Sequence, residues 1–236
     1  MKSTAQGNLQ IVSDRLIFCY DVANPKSYST FKELELRNLA KIDDYILLES
    51  GSTAVIEQYV EYKPEYGGGL QCNDSGSIQF PGFADITLSD YTIEFVISPD
   101  TLNNTTPAEE NYIIKSDNPD GLFIKYYGSD QTQLEYGNGT STDRHVTDMQ
   151  ANNYVYHFLL TYDSITDNYE IFVGFNSERY DKKGGLWGTI NYPFKIGYNF
   201  DIFKLFQFRI YNKVLSPAEI EVNREQFKRR YGAALA

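Results

Sequence analysis

The sequence predicts an all-β protein, an antiparallel β-sandwich closed by a short C-terminal α-helix. Apolar residues recur two apart in Leu16, Phe18, Tyr20, then Tyr91, Ile93, Phe95, Ile97, and again in Tyr154, Tyr156, Phe158, Leu160. That is the period of a strand with one buried face. Such runs do not alternate with long amphipathic helices, which excludes a parallel α/β sheet and leaves two packed antiparallel sheets. A complete helix signal stands at the C-terminal end, in Ser216-Pro-Ala-Glu219 through Arg229-Arg230-Tyr231-Gly232.

Taken in order, a first strand is expected around Leu16–Tyr20. Residues 29–50 fit neither template, because Leu34, Leu36 and Leu39 suit a short helix or an irregular strand equally. Further strands are expected at 53–62, 69–73, 77–80, 111–115, 121–127, 132–136 and 193–198. Gly67-Gly-Gly69 lacks the Lys-Ser/Thr of a phosphate loop and reads as the start of a strand. Residues 154–175 form a hairpin around Asp163-Ser-Ile-Thr-Asp-Asn168, since Tyr169, Ile171, Val173 and Phe175 repeat the alternation after that turn. The last strand is Phe203–Tyr211. Ser216 and Glu219 then make a capping box, with Pro217 at the first helical position. Lys228, Arg229 and Arg230 complement the carbonyl end of the helix, and Gly232 closes it. Turn residues are local and no linker interrupts the chain, so residues 1–13 are expected to be an N-terminal arm and 14–236 one sandwich domain.

A net charge of −11 repels phosphate backbones, and the sequence shows no basic patch outside Lys228–Arg230, so nucleic-acid binding is set aside. No apolar run is long enough for a signal peptide or a membrane span, so synthesis in a cytosol is expected. Cys19 and Cys72 each fall inside a strand-like segment and are read as buried thiols. The Asn-X-Ser/Thr matches at Asn73, Asn103, Asn104 and Asn138 are read as turn chemistry.

The run Phe206-Gln-Phe-Arg-Ile-Tyr-Asn-Lys-Val-Leu-Ser-Pro-Ala-Glu-Ile220, followed by Lys228-Arg-Arg-Tyr-Gly232, resembles the closing strand and helix of the concanavalin A-like (laminin G-like) jelly-roll domains of bacteriophage virion proteins. Leu16-Ile-Phe-Cys-Tyr-Asp-Val-Ala-Asn-Pro-Lys-Ser-Tyr28 is similar to the opening strand and loop of that group, and Tyr91-Thr-Ile-Glu-Phe-Val-Ile-Ser-Pro99 to its central strand. Tyr154-Val-Tyr-His157 stands where the group usually has tryptophan-tyrosine-histidine. The resemblance spans residues 14–232 and implies a jelly-roll fold in a non-enzymatic virion surface protein, either a capsid decoration protein or a head, neck or tail appendage. The partners so implied are other virion proteins, possible host-cell glycans, and neither nucleic acid nor membrane. The alternative is a carbohydrate-binding module or degenerate glycoside hydrolase.

Some jelly rolls are glucanases with paired carboxylates on one strand, but the pattern Glu-x-Asp-x-x-Glu is absent. Glu33 and Glu35 beside Lys32 read as a solvated face, and no catalytic residue is assigned. His157 lies out of phase with Tyr156 and Phe158, so it is expected to face the other layer or solvent as a structural histidine. His145 has no second histidine nearby, which argues against zinc. Asp117, Asn118 and Asp120 carry oxygens suited to Ca²⁺, though a Pro-Asp-Gly turn accounts for the same residues; no metal or cofactor is assigned. Sugar recognition needs aromatic platforms beside amides or carboxylates. Two stretches, taken as loops, offer these: Tyr126, Tyr127, Asp130 and Gln131, and Tyr180, Asp181, Lys183 and Trp187. Packing on neighbouring subunits would use the same residues.

Overall fold

In a computed structural model, the structure describes residues 11–24, 35–37, 39, 45–47, 60–64, 68–73, 76–80, 90–102, 111–118, 121–127, 133–138, 141–146, 154–173, 178–183 and 194–232. The strands are β1 (Leu16–Asp21), β2 (Glu35–Arg37), β3 (Tyr45–Leu47), β4 (Val60–Lys63), β5 (Gly69–Asn73), β6 (Ile78–Phe80), β7 (Tyr91–Leu102), β8 (Tyr112–Ser116), β9 (Phe123–Tyr127), β10 (Gln133–Asn138), β11 (Ser141–Val146), β12 (Tyr156–Asp163), β13 (Asn168–Val173), β14 (Glu178–Lys183), β15 (Phe194–Tyr198) and β16 (Phe200–Tyr211); the helix is α1 (Pro217–Tyr231).

One sheet runs β14-β13-β12-β7-β16-β5-β4, the other β11-β10-β9-β8-β15-β6, all antiparallel. This is the predicted sandwich. The last strand is central to it. β16 lies against β7 along one edge, while its other edge is shared: Ile202–Leu205 pair with β5 and Gln207–Tyr211 pair with β1. Between these two halves the register shifts, because Leu205 opposes Ile97 and Gln207 opposes Val96, which leaves Phe206 as an extra residue on the helix side.

Inward-facing aromatics from both sheets fill the core. Phe208 of the first sheet meets Phe80 and Phe194 of the second at ring separations of 5.2 and 5.8 Å, and stacks on Phe95 at 4.9 Å. Cys19 and Cys72 are buried free thiols, as expected. The hairpin forms as predicted, with Asp163 opposite Asn168 and the Asp163 carboxylate accepting the Ile165 and Thr166 N–H groups. In the ambiguous 29–50 stretch, Glu35–Arg37 and Tyr45–Leu47 form a small antiparallel pair, and Leu39 donates its N–H to the Cys19 carbonyl. Of the strand expected at 53–62, residues 53–59 lie outside the described set.

The helix starts where its capping signals place it. The Ser216 hydroxyl accepts the Glu219 N–H, and the Glu219 carboxylate accepts the Ser216 N–H at 2.9 Å. Its buried residues, Ile220, Asn223, Arg224, Phe227 and Tyr231, follow the three-to-four spacing of a single helix face. That face lies on the outer side of the first sheet, where Phe227 and Tyr231 pack with Val96, Val155 and Phe206, and Ile220 packs with Leu159, Tyr211 and Leu215. Val12 packs beside the second cluster and donates its N–H to the Asn223 side-chain oxygen.

Candidate ligand-binding surface

The two sheets turn very different outer faces away from the core. On the first, α1 seals a charged cluster. Strand alternation sends Tyr91, Ile93, Phe95 and Ile97 inward, which turns Thr92, Glu94, Val96 and Ser98 outward beneath the helix. Glu94 is at the centre. It accepts from His157 Nε2 at 2.8 Å, Arg209 Nη1 at 3.0 Å, Asn223 Nδ2 at 3.1 Å and the Tyr211 hydroxyl at 3.4 Å. Arg209 also donates to Gln207 at 2.7 Å and lies 5.0 Å over the Phe227 ring. Burial alone would raise the Glu94 pKa, but the Arg209 guanidinium and the His157 bond hold it down at about 2. Glu94 is 1 % exposed, so this carboxylate binds the helix to the sheet and does not face a substrate.

His157 therefore corrects one expectation. It faces neither the other layer nor solvent; it lies on the outer face of its strand, buried under α1 and hydrogen-bonded to Glu94. The residue is structural, as predicted, but its partner sits in a strand 63 positions earlier and is invisible to local spacing.

On the second sheet the described residues place no helix over the outer face. Two cross-strand rows run along it. In the first, Gln79 of β6, Lys195 of β15, Lys115 of β8 and Phe123 of β9 stand in register; in the second, Tyr198, Tyr112 and Lys125 do, and the row continues in backbone register to Glu135 and Arg144. Strict alternation would send Tyr198 into the core with Phe194 and Ile196. Gly197 prevents this: its φ of +75° breaks the alternation, and a Cβ there would sit 2.5 Å from the Phe203 ring. On β8 an irregularity between Tyr112 and Ile114 does the matching work, burying both Ile113 and Ile114 and leaving Tyr112 and Lys115 outward.

The result is a platform of ammonium groups and rings. Lys115 Nζ lies 4.7 Å from the Tyr112 ring centre and 4.4 Å from that of Tyr198. Lys195 lies 5.3 Å over Tyr198, and Lys125 5.4 Å over Phe123. Tyr112, Phe123, Tyr198, Lys115 and Lys195 are all half-buried and so keep part of their surface in solvent. Lys115 and Lys195 thus lie together on this sheet, apart from the basic run at Lys228–Arg230. At that site Lys228 pairs with Glu221 and Glu225, and Arg230 with Asp21, so the charge there is used within the fold.

The residues that the sequence offers for glycan contact are dispersed. Tyr126 and Tyr127 lie on strand β9, opposite Leu134 and Gln133, and Tyr180 and Asp181 lie on β14, the edge strand of the other sheet, opposite Ile171 and Glu170. Both pairs are in strands rather than loops. Trp187, Asp130 and Gln131 lie outside the described residues, as does Asp120. At the Asp117–Gly121 stretch the Asn118 carbonyl accepts the Gly121 N–H at 2.9 Å, the hydrogen bond of a reverse turn, and the Asp117 carboxylate accepts from the Gln79 side chain at 3.2 Å. Among the described residues no helix is long and apolar enough to cross a membrane. Lys115, Lys195 and Tyr198 escaped the sequence reading because strand pairing, not spacing, brings them together. Lys195 does sit between the buried Phe194 and Ile196, and Lys115 follows the buried Ile114, the local sign of an outward strand position; Tyr198 carries no such sign.

Comparison with known proteins agrees with this architecture. No curated protein matches the chain in sequence. Among solved structures, the botulinum neurotoxin serotype D binding domain superposes with a TM-score of 0.63 at 13% identity, covering 91% of this chain and 52% of that one. The binding domain of botulinum neurotoxin DC in complex with SialylT gives 0.60 at 15% identity, covering 91% and 51%. The same toxin's binding domain in complex with rat synaptotagmin II gives 0.56 at 16%, covering 84% and 51%. The chain thus spans about half the length of these binding domains, and at such identities the likeness is one of fold. A family model matches residues 73–221, from the end of β5 into α1, more than half of the chain. The chain belongs to the concanavalin A-like lectin/glucanases superfamily.

Proposed function

We propose that this protein is a non-enzymatic recognition module that binds glycan through the outer face of its second sheet and is displayed on a bacteriophage particle as a decoration or appendage subunit. The open platform of Tyr112, Phe123, Tyr198, Lys115 and Lys195 is the observation that carries the binding role. It joins apolar ring surface to polar groups, the combination a sugar ring requires. Among the described residues no helix covers this face, whereas α1 occupies the other. A non-catalytic role is supported by Glu94. This central carboxylate is sealed and engaged by four donors, so it is unable to serve as acid or nucleophile on a glycosidic bond.

Of the solved structures of the same fold, the binding domain of botulinum neurotoxin DC is in complex with SialylT, and cell entry of botulinum neurotoxin type C is described as dependent upon interaction with two ganglioside molecules. These are properties of those toxins and lend the glycan reading its plausibility here. The virion assignment is supported by the sequence resemblance of the opening loop and closing strand. A glycan array probed with the purified protein tests the binding role; a blank array with intact fold would remove it. Mass spectrometry of purified phage particles tests the location, and absence of the chain from them would remove that.

A further inference from the structure

We infer that the tip of the β12–β13 hairpin, with Ile165 at its point, attaches the protein to its particle by entering an apolar pocket rimmed with lysine or arginine on a partner protein, a step that rests on the particle-display reading above. Ile165 is 88 % exposed, against 49 % for Tyr154, 43 % for Val222 and 37 % for Val214. Its side chain adds nothing to the fold from there. The turn uses its backbone N–H, which any residue but proline supplies, and turns ordinarily carry Asn, Asp, Gly, Pro or Ser. Folding leaves a β-branched apolar side chain held in water unaccounted for, whereas an anchor for a partner's pocket requires one.

The tip is pinned on both sides of that residue. Ser164 donates its N–H and its hydroxyl to the Asp90 carboxylate, at 2.9 and 2.7 Å, which ties the loop to the start of β7. The Asp163 carboxylate accepts the Ile165 and Thr166 N–H groups. The Tyr162 hydroxyl donates to Asp167 at 3.0 Å, where the backbone is left-handed. Ile165 is thus placed before any partner arrives, and such preorganisation lowers the ordering cost of binding. Val214 adds apolar surface at the same end of the sheet. Thr92, two residues beyond Asp90, donates its hydroxyl to the Lys213 carbonyl and accepts the Leu215 N–H, which holds Val214 outward between two fixed neighbours.

Charge selects the partner. Asp90 and Asp163 flank the tip, and the groups that donate to them, from Ser164, Ile165 and Thr166, are all neutral. Hydrogen bonding to Thr166 also holds the Asp163 carboxyl below the usual carboxylate range. Lys213, beside Val214, is already paired with Asp14 and Glu219. An anionic bilayer would be repelled by this tip, as would a second copy of a chain of net charge −11. A pocket that takes an isoleucine and carries cations on its rim meets both features.

Quantitative mass spectrometry of purified particles of the phage that encodes the chain, carrying single substitutions, tests this. Ile165→Asp should lower the copies per particle by about tenfold or more, while Ile165→Val, which keeps the apolar character, should hold most of the parent's number. Val222→Asp, the same kind of change at an exposed position on α1, should leave occupancy at the parent's level, and washing with salt should release the parent. Melting curves confirm that each variant folds. The inference is overturned if Ile165→Asp is as abundant on particles as the parent, if Ile165→Val or Val222→Asp is lost equally, or if salt does not weaken attachment. Self-association in sedimentation, or binding to phosphatidylserine vesicles, that depends on Ile165 would overturn it as well. Absence of the parent chain from particles would refute the display reading along with it, whereas a parent present beside equally abundant Ile165→Asp would refute this inference alone.

Discussion

Each sheet places charged residues opposite one another across a central strand pair, yet with opposite results. On the first sheet Glu94 stands opposite Arg209, unlike charges in register, and α1 closes over them. On the second, Lys195 stands opposite Lys115, like charges in register, on a face that the described residues leave without a helix. The sealed pair is satisfied within the fold. The second pair lies instead against the rings of Tyr112 and Tyr198 on the outer face of its sheet.

The largest test of that contrast is Glu94→Ala. It leaves Arg209 buried without its carboxylate and should cost about 3–5 kcal/mol by urea denaturation; a loss below about 1 kcal/mol would mean the sealed cluster contributes little. Acid should act through the same group. Its folded-state pKa, about 2, lies below the ordinary 4.5, so its contribution is full above pH 4.5 and is lost as pH falls towards 2. The stability of the parent should therefore drop across that window more steeply than that of the Glu94→Ala variant.

Gly197→Ala comes next, at about 1–3 kcal/mol, because the new Cβ meets Phe203 and the backbone is left-handed. It should also displace Tyr198, visible as altered tyrosine resonances, and weaken ligand binding on the open face. Ser216→Ala removes the helix cap for about 1 kcal/mol, with no effect on that binding. Smallest is Lys195→Gln. Its stability should change by no more than about 0.5 kcal/mol by thermal melting, the usual size at a half-buried surface position. A clear destabilisation would show that this lysine serves the fold after all.

The parts of the fold governed by local rules were legible in the sequence. Capping of α1 depends on Ser216, Pro217 and Glu219, three neighbours, and the hairpin at Asp163–Asn168 depends on one turn; both could be read directly. The inward stripe of β7 was equally plain from its period. What period two could not say is that the other stripe is buried as well, because the cover comes from a helix more than a hundred residues away. The pairing of Glu94 with His157 is for that reason invisible to local spacing. The binding platform was hidden by a similar limit. Tyr198 has the parity of a core residue, and it is turned outward by a backbone irregularity at Gly197 that alternation does not encode. Tyr126, Tyr127, Tyr180 and Asp181 were selected by composition, a property that does not determine which sheet a strand joins.

Strand β16 occupies the middle of the first sheet, although among the described residues it follows every other strand. Until it emerges, β7 on one flank and β1 with β5 on the other have no common neighbour, so assembly must wait for the final quarter of the polypeptide. Such long-range closure is slow, on the order of milliseconds to seconds for sandwiches of this type. A ribosome halted before Phe200 would consequently hold β14-β13-β12-β7 and the strands of the second sheet without the strand that joins β7 to β1 and β5, and deletion of β16 should abolish folding outright instead of eroding it by degrees.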